Sequence, residues 1–582
     1  MRRAFRFRLR LLAGALALFA LLLAGRLYYV QIMQGASYAA RGEAQYISSS
    51  QELYDRGTIY FTRKDGTPIS AATIATGYLI AIDPEEIKNP QTVYGELNAV
   101  TPIDHDTFFK DAGHTSDPYE VVAHQVSSAD GDKISALNIT GVLVETERWR
   151  TYPAGSEAAQ TLGFVAFGKN NILAGQAGLE EFYDDVLNRS SRGLFGNFFA
   201  QIFGNIDTTV VDAQGSREGD VVTSIEPAVQ VRLEQDLEAV TKKYSSTESG
   251  GIIMDPKTGE IIALGSYPSF DPNNFQNGNP QYFGNPIVQS EYEFGSIVKS
   301  LTMAEGLDAG VITPTETYDD TGCIHPNGTT ICNYDLRARG VIPMVQILDQ
   351  SLNVGASFIA GQLGHTKQLE YDTKLGLGEK TGVDLPGEVA GNLRNLSTAQ
   401  DVNYDTAAFG QGIANTPIEM VRAVGALANQ GAIVTPHVAD AIQLANGTLE
   451  LLKYPAPVQV FKPSTATTVT QMLVTVFPAD AALAINANPG LRLPKDIPIA
   501  AKTGTAQVVN PQGGYYKNIY FHSFYGYFPA QDPQFVILLY TNRPQGVQYA
   551  SGTLTYTFID LSNFLVNYYN ISPNSTPYED PF

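Results

Sequence analysis

The pattern of apolar and polar residues first predicts a membrane anchor near the N-terminus. Five arginines occur in the first ten residues, an apolar run follows from Leu11 to Gly25, and the segment up to residue 33 extends it. A helix needs about 20 apolar residues to cross a membrane. We therefore expect a cytoplasmic tail over residues 1–10 and a transmembrane anchor over residues 11–33. A cleaved signal peptide is the alternative, although no small-residue cleavage site ends the run.

Downstream of the anchor, the pattern predicts two regions with different periodicities. Residues 41–218 mix strand-like and helical pieces with many turns, and we expect them to form an elongated N-terminal α+β pedestal of the kind that also mediates dimerisation. Within this module, the unusually apolar segment from Gly193 to Ile206 is expected to pack against its own domain.

Residues 219–567 are expected to form a second domain, an antiparallel sheet flanked by helices. Val229, Leu233 and Leu237 recur at a helical spacing, and two apolar strands then flank a turn at Lys257–Gly259. The last segment, residues 568–582, is rich in Pro, Asn and Ser and is expected to be disordered.

Composition narrows the possible functions. The 582-residue chain has a formal net charge of −21, which argues against a nucleic-acid partner because phosphate binding needs a basic surface. Two cysteines give no disulfide framework, and the seven histidines form no HExxH motif. We expect neither a metal nor another cofactor.

The first candidate for chemistry is the serine and lysine pair in "EFGSIVKSL". Ser296 is expected in the first turn of a helix, and Lys299 shares its face because residues at i and i+3 are neighbours. A neutral lysine could take the proton of the serine hydroxyl and make it a nucleophile. Burial and a second cation both favour the neutral form. Alone, this motif is common by chance.

The second candidate is "SLN", where Ser351 and Asn353 interrupt two short helical stretches. A hydroxyl and an amide at such a break could relay a proton and orient both the lysine and a substrate. A similar Ser-x-Asn at Ser572 is attributed to chance, because it lies in the polar tail.

The tripeptide Lys-Thr-Gly occurs twice, and only one copy has strand-like surroundings. Lys502, Thr503 and Gly504 stand in "IAAKTGTAQVV", with "FHSFYGYFP" as the expected neighbouring strand. Lys380 stands in "GLGEKTGVDLPGE", which reads as a loop. We therefore predict that the Lys502 copy is functional, and that Gly504 lets another backbone approach closely.

Together, in this order and on helix, loop and strand, the three motifs are the signature of β-lactamases and penicillin-binding proteins. The chain resembles a class B penicillin-binding protein, a monofunctional cell-wall transpeptidase. "RGTIYFTRKDGTPISA", "YPSFDPNNF", "GLGEKTGVDLPGE" and "FGQGIANTPIEMVRAVGALANQG" carry the resemblance further, and no glycosyltransferase domain precedes the motifs. Phe294 and Ile297 depart from the family's usual proline and threonine, and both are expected to alter the groove beside Ser296.

The resemblance implies an α+β serine transpeptidase fold and a role for each motif residue. Ser296 would attack the D-Ala–D-Ala carbonyl of a peptidoglycan stem peptide, with Lys299 as the general base. Ser351 and Asn353 would relay a proton and orient both the lysine and the substrate. Lys502 and the two threonines, Thr503 and Thr505, would bind the terminal carboxylate. Backbone N–H groups of Ser296 and Thr505 would form the oxyanion hole.

The resemblance also implies partners and a location. These are stem peptides on lipid-linked or nascent glycan, β-lactam antibiotics, a polymerase of the SEDS family and other cell-wall complex proteins. The location is the bacterial cell membrane, with a cytoplasmic N-terminus and an extracytoplasmic catalytic domain. A role in division or in elongation stays open, with the compact N-terminal module favouring division. The alternatives are a β-lactamase or D,D-carboxypeptidase, and a catalytically silent scaffold or β-lactam sensor.

The two cysteines are predicted to form a disulfide. Asn327-Gly328 lies midway between Cys323 and Cys332 and is a favoured hairpin turn, so counting outward pairs the cysteines across two strands. The compartment outside the membrane permits oxidation. Two free, partly buried thiols are the alternative.

Overall fold

The computed structural model describes residues 55–168, 173–189, 218–444 and 446–573. The predicted tail and anchor over residues 1–33, and the apolar segment 193–206, lie outside the described residues. The helix that ends at Tyr569 runs two residues into the predicted disordered tail; residues beyond 573 are not described.

The described chain contains short and long strands interleaved with helices. The strands are β1 Ile59–Thr62, β2 Pro68–Ile82, β3 Glu120–Val126, β4 Val142–Thr151, β5 Val165–Phe167, β6 Leu173–Gly175, β7 Gly219–Thr223, β8 Glu248–Met254, β9 Ile261–Tyr267, β10 Thr317–Asp320, β11 Cys323–Ile324, β12 Ile331–Cys332, β13 Gly340–Pro343, β14 Ala432–Ile433, β15 Ala439–Leu444, β16 Leu449–Leu451, β17 Val458–Gln459, β18 Ala500–Val509, β19 Tyr515–Phe528 and β20 Phe535–Asn542. The α-helices are α1 Pro90–Asn98, α2 His105–Asp111, α3 Ser128–Ala136, α4 Ala159–Leu162, α5 Gly178–Phe182, α6 Asp184–Leu187, α7 Pro227–Tyr244, α8 Pro286–Gln289, α9 Lys299–Asp308, α10 Val345–Asp349, α11 Asn353–Leu363, α12 His365–Lys374, α13 Asp401–Ala407, α14 Pro417–Ala428, α15 Pro463–Ala487 and α16 Thr555–Tyr569.

The chain divides into two compact units. Among the described residues, the smaller unit holds 74–150, and the larger holds 56–73, 151–189 and the chain from 218 onward. This division does not coincide with the predicted boundary at residue 219. The reason is pairing between distant segments: β1 lies parallel to β7, and the Arg56 guanidinium donates to Glu180 at 2.6 Å. Periodicity along the chain carries no signal for such pairing.

The larger unit is built around a five-stranded sheet in the order β18-β19-β20-β8-β9, with every neighbouring pair antiparallel. Side chains of β20 alternate between two apolar cores: Leu538 contributes to one, and Ile537 and Leu539 contribute to the other. The predicted hairpin is present as β8 and β9, and the predicted face of α7 is buried against the sheet. Helices therefore cover both faces, as the pattern indicated.

Helix α15, which follows β17, is long and apolar. Among the described residues, α15 is the one helix whose length and composition would suffice to cross a membrane. Its Val469, Met472, Leu473 and Val476 are buried in the same core as Leu538. We interpret α15 as a core helix of the larger unit.

The smaller unit has a core of its own. Ile80 and Ile82 of β2 pack in one cluster with Leu97 of α1, Phe108 of α2 and Ile134 of α3. None of the predicted catalytic residues belongs to this unit.

Candidate active site

The predicted nucleophile lies in a tight turn that precedes its helix. Gly295–Ile297 form a single 3₁₀ turn, and α9 begins only at Lys299, so Ser296 is one turn earlier than predicted. Gly295 has φ +61°, and a Cβ there would lie 2.6 Å from the carbonyl oxygen of Thr505. Only glycine allows the turn to approach the strand that carries Thr505 this closely.

Lys299 lies at the centre of the site, and its side chain is only 1% exposed. Its Nζ donates to the carbonyl oxygen of Ser351 at 2.6 Å and to Oδ1 of Asn353 at 2.7 Å, and lies 3.3 Å from Oγ of Ser351. Burial, and then the charge of Lys502, hold the pKa of Lys299 well below its usual range. Burial and the nearby charge therefore favour the neutral amine, and the two acceptors orient it.

Ser351 lies between α10 and α11, at the predicted break, and Asn353 is the first residue of α11. Ser351 adopts φ +52°, a left-handed conformation that serine rarely takes, and this turns its carbonyl and its hydroxyl toward the same amine. The Asn353 amide spans two elements, because its Nδ2 donates to the carbonyl oxygen of Cys332 at 2.9 Å.

That carbonyl belongs to the predicted cysteine hairpin. Cys323 pairs with Cys332 in the counted register, and a disulfide joins them, which confirms the prediction. The turn differs from the predicted two-residue form, because Pro326–Gly328 make a 3₁₀ turn with Asn327 left-handed. The link from this hairpin to Asn353 was not predicted, since nothing in the spacing of residues 332 and 353 indicates a contact.

The Lys502 tripeptide lies on β18, and β19 is its neighbour, as predicted. Lys502 is 2% exposed, and its Nζ donates to the carbonyl oxygen of Thr503 at 3.3 Å. A Cβ on Gly504 would lie 2.5 Å from the carbonyl oxygen of Phe294. The glycine thus lets β18 pack against the turn that bears the nucleophile.

The hydroxyl of Thr505 is oriented by a group that the sequence did not reveal. Its Oγ1 accepts a hydrogen bond from the N–H of Ala550 at 3.0 Å, which leaves the hydroxyl hydrogen able to donate elsewhere. His522 pairs with Thr505 across the sheet and contacts the same loop, at 3.0 Å to Oγ1 of Thr553 and 3.0 Å to the carbonyl oxygen of Gln548. Burial lowers the pKa of His522 to about 4, so its imidazole is neutral.

The other Lys-Thr-Gly has a structural role in a loop, as predicted. Lys380 is exposed, and both the N–H and the hydroxyl of Thr381 donate to Glu388 at 2.6 Å. The N–H of Gly382 donates to the same carboxylate at 3.2 Å. Here the tripeptide wraps the backbone around a buried carboxylate.

The two departures from the family pattern are buried, and their effect on the groove beside Ser296 stays a prediction. Phe294 is 1% exposed, and its ring meets Phe521 edge to face at 5.4 Å. The side chain of Ile297 is fully buried in the same core. Both side chains therefore support the turn around Ser296 from the apolar core.

Comparisons with known proteins show which family this chain belongs to. The model of the family described as "Penicillin binding protein transpeptidase domain" matches residues 250–560. Stage V sporulation protein D of Bacillus subtilis is 28% identical over 538 residues, covering 91% of this chain and 80% of that protein. Peptidoglycan D,D-transpeptidase FtsI of Escherichia coli is 26% identical over 563 residues, covering 94% and 89%.

Among solved structures, penicillin-binding protein 3 of Mycobacterium tuberculosis in complex with ampicillin is similar, with a TM-score of 0.63 and 25% identity. The match covers 75% of this chain and 93% of that one. Its complex with aztreonam gives a TM-score of 0.62.

Proposed function

Because the chain belongs to the penicillin-binding protein transpeptidase family, we propose that it is a class B peptidoglycan D,D-transpeptidase. It would cross-link stem peptides through an acyl-serine intermediate and be acylated by β-lactams at the same serine. The observation that carries this proposal is the buried Lys299 amine on the helix that follows the Ser296 turn. Burial and the charge of Lys502 lower its pKa, and Ser351 and Asn353 orient it.

In the first half-reaction, the neutral Lys299 amine takes the proton of the Ser296 hydroxyl, and Oγ attacks the carbonyl carbon of the penultimate D-alanine. The oxyanion forms toward the backbone N–H groups of Ser296 and Thr505. The C–N bond then breaks, and the proton passes to the departing D-alanine amine through Lys299 and the Ser351 hydroxyl.

Ser351 and Asn353 keep the base oriented during both steps. The Ser351 carbonyl and the Asn353 Oδ1 occupy two N–H groups of the neutral amine, so its lone pair is directed elsewhere. The short helix break that holds them is itself fixed by the Cys332 carbonyl.

We assign the binding of the substrate carboxylate to residues of β18. Lys502 supplies a positive charge, and the hydroxyls of Thr503 and Thr505 donate to the carboxylate oxygens, the latter being oriented by Ala550. Lys502 has a second effect, because its charge also keeps Lys299 neutral.

In the second half-reaction, an amine of a neighbouring stem peptide attacks the acyl-serine. A β-lactamase or a D,D-carboxypeptidase would use water instead, which needs a base dedicated to water. Among the described residues, no carboxylate is hydrogen-bonded to Lys299. The lack of such a carboxylate favours transfer to an amine. The oriented Lys299 amine argues against a catalytically silent scaffold or sensor.

The test is acylation by a labelled penicillin, followed by mass spectrometry of the peptides. We expect one adduct, on the peptide that contains Ser296, and its loss in the Ser296→Ala variant. Incubation with a donor stem peptide and an amine acceptor separates the alternatives. A cross-linked product supports the transpeptidase, whereas hydrolysis alone indicates a carboxypeptidase and the absence of any adduct contradicts the assignment.

We also propose that the protein acts at the bacterial membrane, anchored by residues 11–33 with its catalytic unit outside, beside a SEDS-family glycan polymerase. The apolar run and its flanking arginines support this. Replacing residues 1–33 by an unrelated anchor and deleting the N-terminal module should abolish co-purification with the polymerase. Unchanged co-purification would contradict this partnership.

A further inference from the structure

One histidine and two carboxylates meet where the turn before β9 contacts the segment that leads into β15. Ligand atoms of Glu260, His437 and Asp440 all lie within 4.8 Å of one another. None of the three belongs to the catalytic motifs. We propose that they bind a zinc ion that stabilises the larger unit.

The backbone holds two of these residues in a fixed relation. The N–H of Ile261 donates to the carbonyl oxygen of His437 at 2.9 Å, and the N–H of His437 donates to that of Gly259 at 3.0 Å. Gly259 has φ +90°, and a Cβ there would lie 2.3 Å from the carbonyl oxygen of Thr435. The ligands therefore project from a rigid junction, as a preorganised metal site requires.

The histidine has the tautomer that a metal needs. His437 is 5% exposed, and its Nδ1 lies 2.9 Å from the carbonyl oxygen of Thr435. A carbonyl only accepts, so Nδ1 carries the hydrogen and, in the neutral ring, Nε2 keeps its lone pair. Nε2 has no hydrogen-bond partner among the described residues. A histidine that donates one N–H to a carbonyl and offers the other nitrogen is the usual arrangement of a zinc ligand.

One carboxylate of this cluster lacks the partner that a buried charge normally has. Oδ1 of Asp440 is buried without a hydrogen-bond partner among the described residues. A bound cation would supply that partner.

The ligand set favours zinc over magnesium or calcium. Magnesium and calcium prefer oxygen ligands, whereas imidazole with carboxylates suits zinc. Zinc binds these groups at about 2.0–2.2 Å, so the three ligand atoms must draw together by roughly 1 Å, which side-chain rotation permits. Three protein ligands leave one position for water. Because Glu260 adjoins the five-stranded sheet and Asp440 lies on β15 of another sheet, the ion would join two sheets.

The experiment uses untagged full-length protein that has been stripped with a chelator, incubated with zinc chloride and separated from free metal by gel filtration. We expect about one zinc per chain by elemental analysis, and an unfolding temperature about 2 °C or more higher than that of the stripped protein. Asp440→Asn, which keeps the shape of the side chain, should lose both the bound zinc and the thermal shift. His437→Gln should do the same.

The matched control is His114→Gln. Asp111, His114 and Glu120 of the smaller unit also lie within 4.8 Å of one another, but His114 is exposed whereas His437 is buried. This variant should keep the zinc and the thermal shift. Penicillin acylation of every variant shows that it is folded. Zinc retained by Asp440→Asn, zinc lost only in His114→Gln, or no bound zinc in the unaltered protein would each overturn the proposal.

Discussion

At Lys299, the surroundings of the side chain set its chemistry. The three-residue spacing from Ser296 predicted a shared helix face, and the need for a neutral amine predicted a nearby second cation. The structure supplies that cation as Lys502. It also supplies the Ser351 carbonyl as an acceptor, which the sequence could not reveal because it depends on a left-handed backbone at one serine.

Lys502→Ala should therefore change both the rate and the pH dependence of acylation. We expect the rate with penicillin at neutral pH to fall by about 10²-fold, because a ligand for the carboxylate is lost. The pKa of Lys299 should rise toward its usual value once the neighbouring charge is gone, so the acidic limb of the rate profile, where this base loses its proton, should move to higher pH. Stopped-flow acylation from pH 6 to pH 10 measures both effects.

Lys380→Ala is the control for this prediction, since the exposed Lys380 belongs to the other tripeptide. Its rate and profile should match those of the unaltered protein. A slow Lys380→Ala variant beside a normal Lys502→Ala variant would reverse the assignment of the two copies.

A second prediction at the residue scale concerns how His522 makes the free energy of unfolding depend on pH. With a pKa of about 4 in the folded state, it binds fewer protons than in the unfolded chain, where the pKa is about 6.5. Its contribution to the free energy of unfolding is thus complete above about pH 6.5 and is lost as the pH falls toward 4. Between pH 7 and pH 5 this loss amounts to roughly 2 kcal/mol.

Denaturant unfolding of the unaltered protein and of His522→Gln at both pH values isolates this contribution from other titrating groups. The unaltered protein should lose about 2 kcal/mol more than the variant. Equal losses would show that His522 is already protonated in the folded protein, or that the unfolded state shares its low pKa.

At the scale of elements, helix α9 carries a carboxylate whose burial has no role in the proposed chemistry. Burial and then Asp372 of α12 raise the pKa of Glu305 well above its usual value, and burial raises the pKa of Asp372 to about 7. One oxygen of each carboxyl group has no hydrogen-bond partner among the described residues. The two helices therefore pack around carboxyl groups that favour the protonated form.

Such a pair makes the fold less stable as the pH rises. The unfolded chain releases the Asp372 proton near pH 4, whereas the folded chain keeps it to about pH 7, so stability declines across that interval. Asp372→Asn should reduce this decline by roughly 1 kcal/mol per pH unit between pH 5 and pH 7. Thermal unfolding of both proteins across this range tests the effect. If the stability of the variant declined as steeply as that of the unaltered protein, the Asp372 carboxylate would be charged in the folded protein and its charge would be compensated by other groups.

The helices and strands were more predictable from the sequence than the contacts between them. The strand of Lys502, its neighbour β19, the β8–β9 hairpin, the cysteine register and the face of α7 all followed from alternation, turn residues and helical spacing. The 3₁₀ turn at Ser296 and the Asn353 contact with Cys332 did not. Both depend on segments that approach from elsewhere in the chain, and local patterns do not encode such approaches.

At the scale of the whole chain, the larger unit takes in residues that the sequence assigned to the pedestal. Ile59 and Phe61 of β1 are buried in its main core, and the N–H of Val221 donates to the carbonyl of Thr58 at 2.9 Å. A chain that starts at residue 219 would lose both side chains from that core. The loss is several kcal/mol, comparable to the stability of a typical domain.

We therefore expect a chain of residues 219–582 to be largely insoluble or slow to react with penicillin. A chain that begins at residue 55 should be soluble and acylated at the normal rate. Gel filtration and penicillin labelling of the two chains compare them directly. Full solubility and normal labelling of the shorter chain would show that the core tolerates the loss of β1.

The alternation of β20 between two cores has a consequence for biogenesis. Its "FVILLYT" has no charged residue, and such a segment readily self-associates while it is unpaired. One strand partner, β19, immediately precedes it, whereas the other, β8, was synthesised almost 300 residues earlier. During folding, β8 keeps one open edge until the β19–β20 hairpin forms. The interval between these events is when the chain most needs a chaperone.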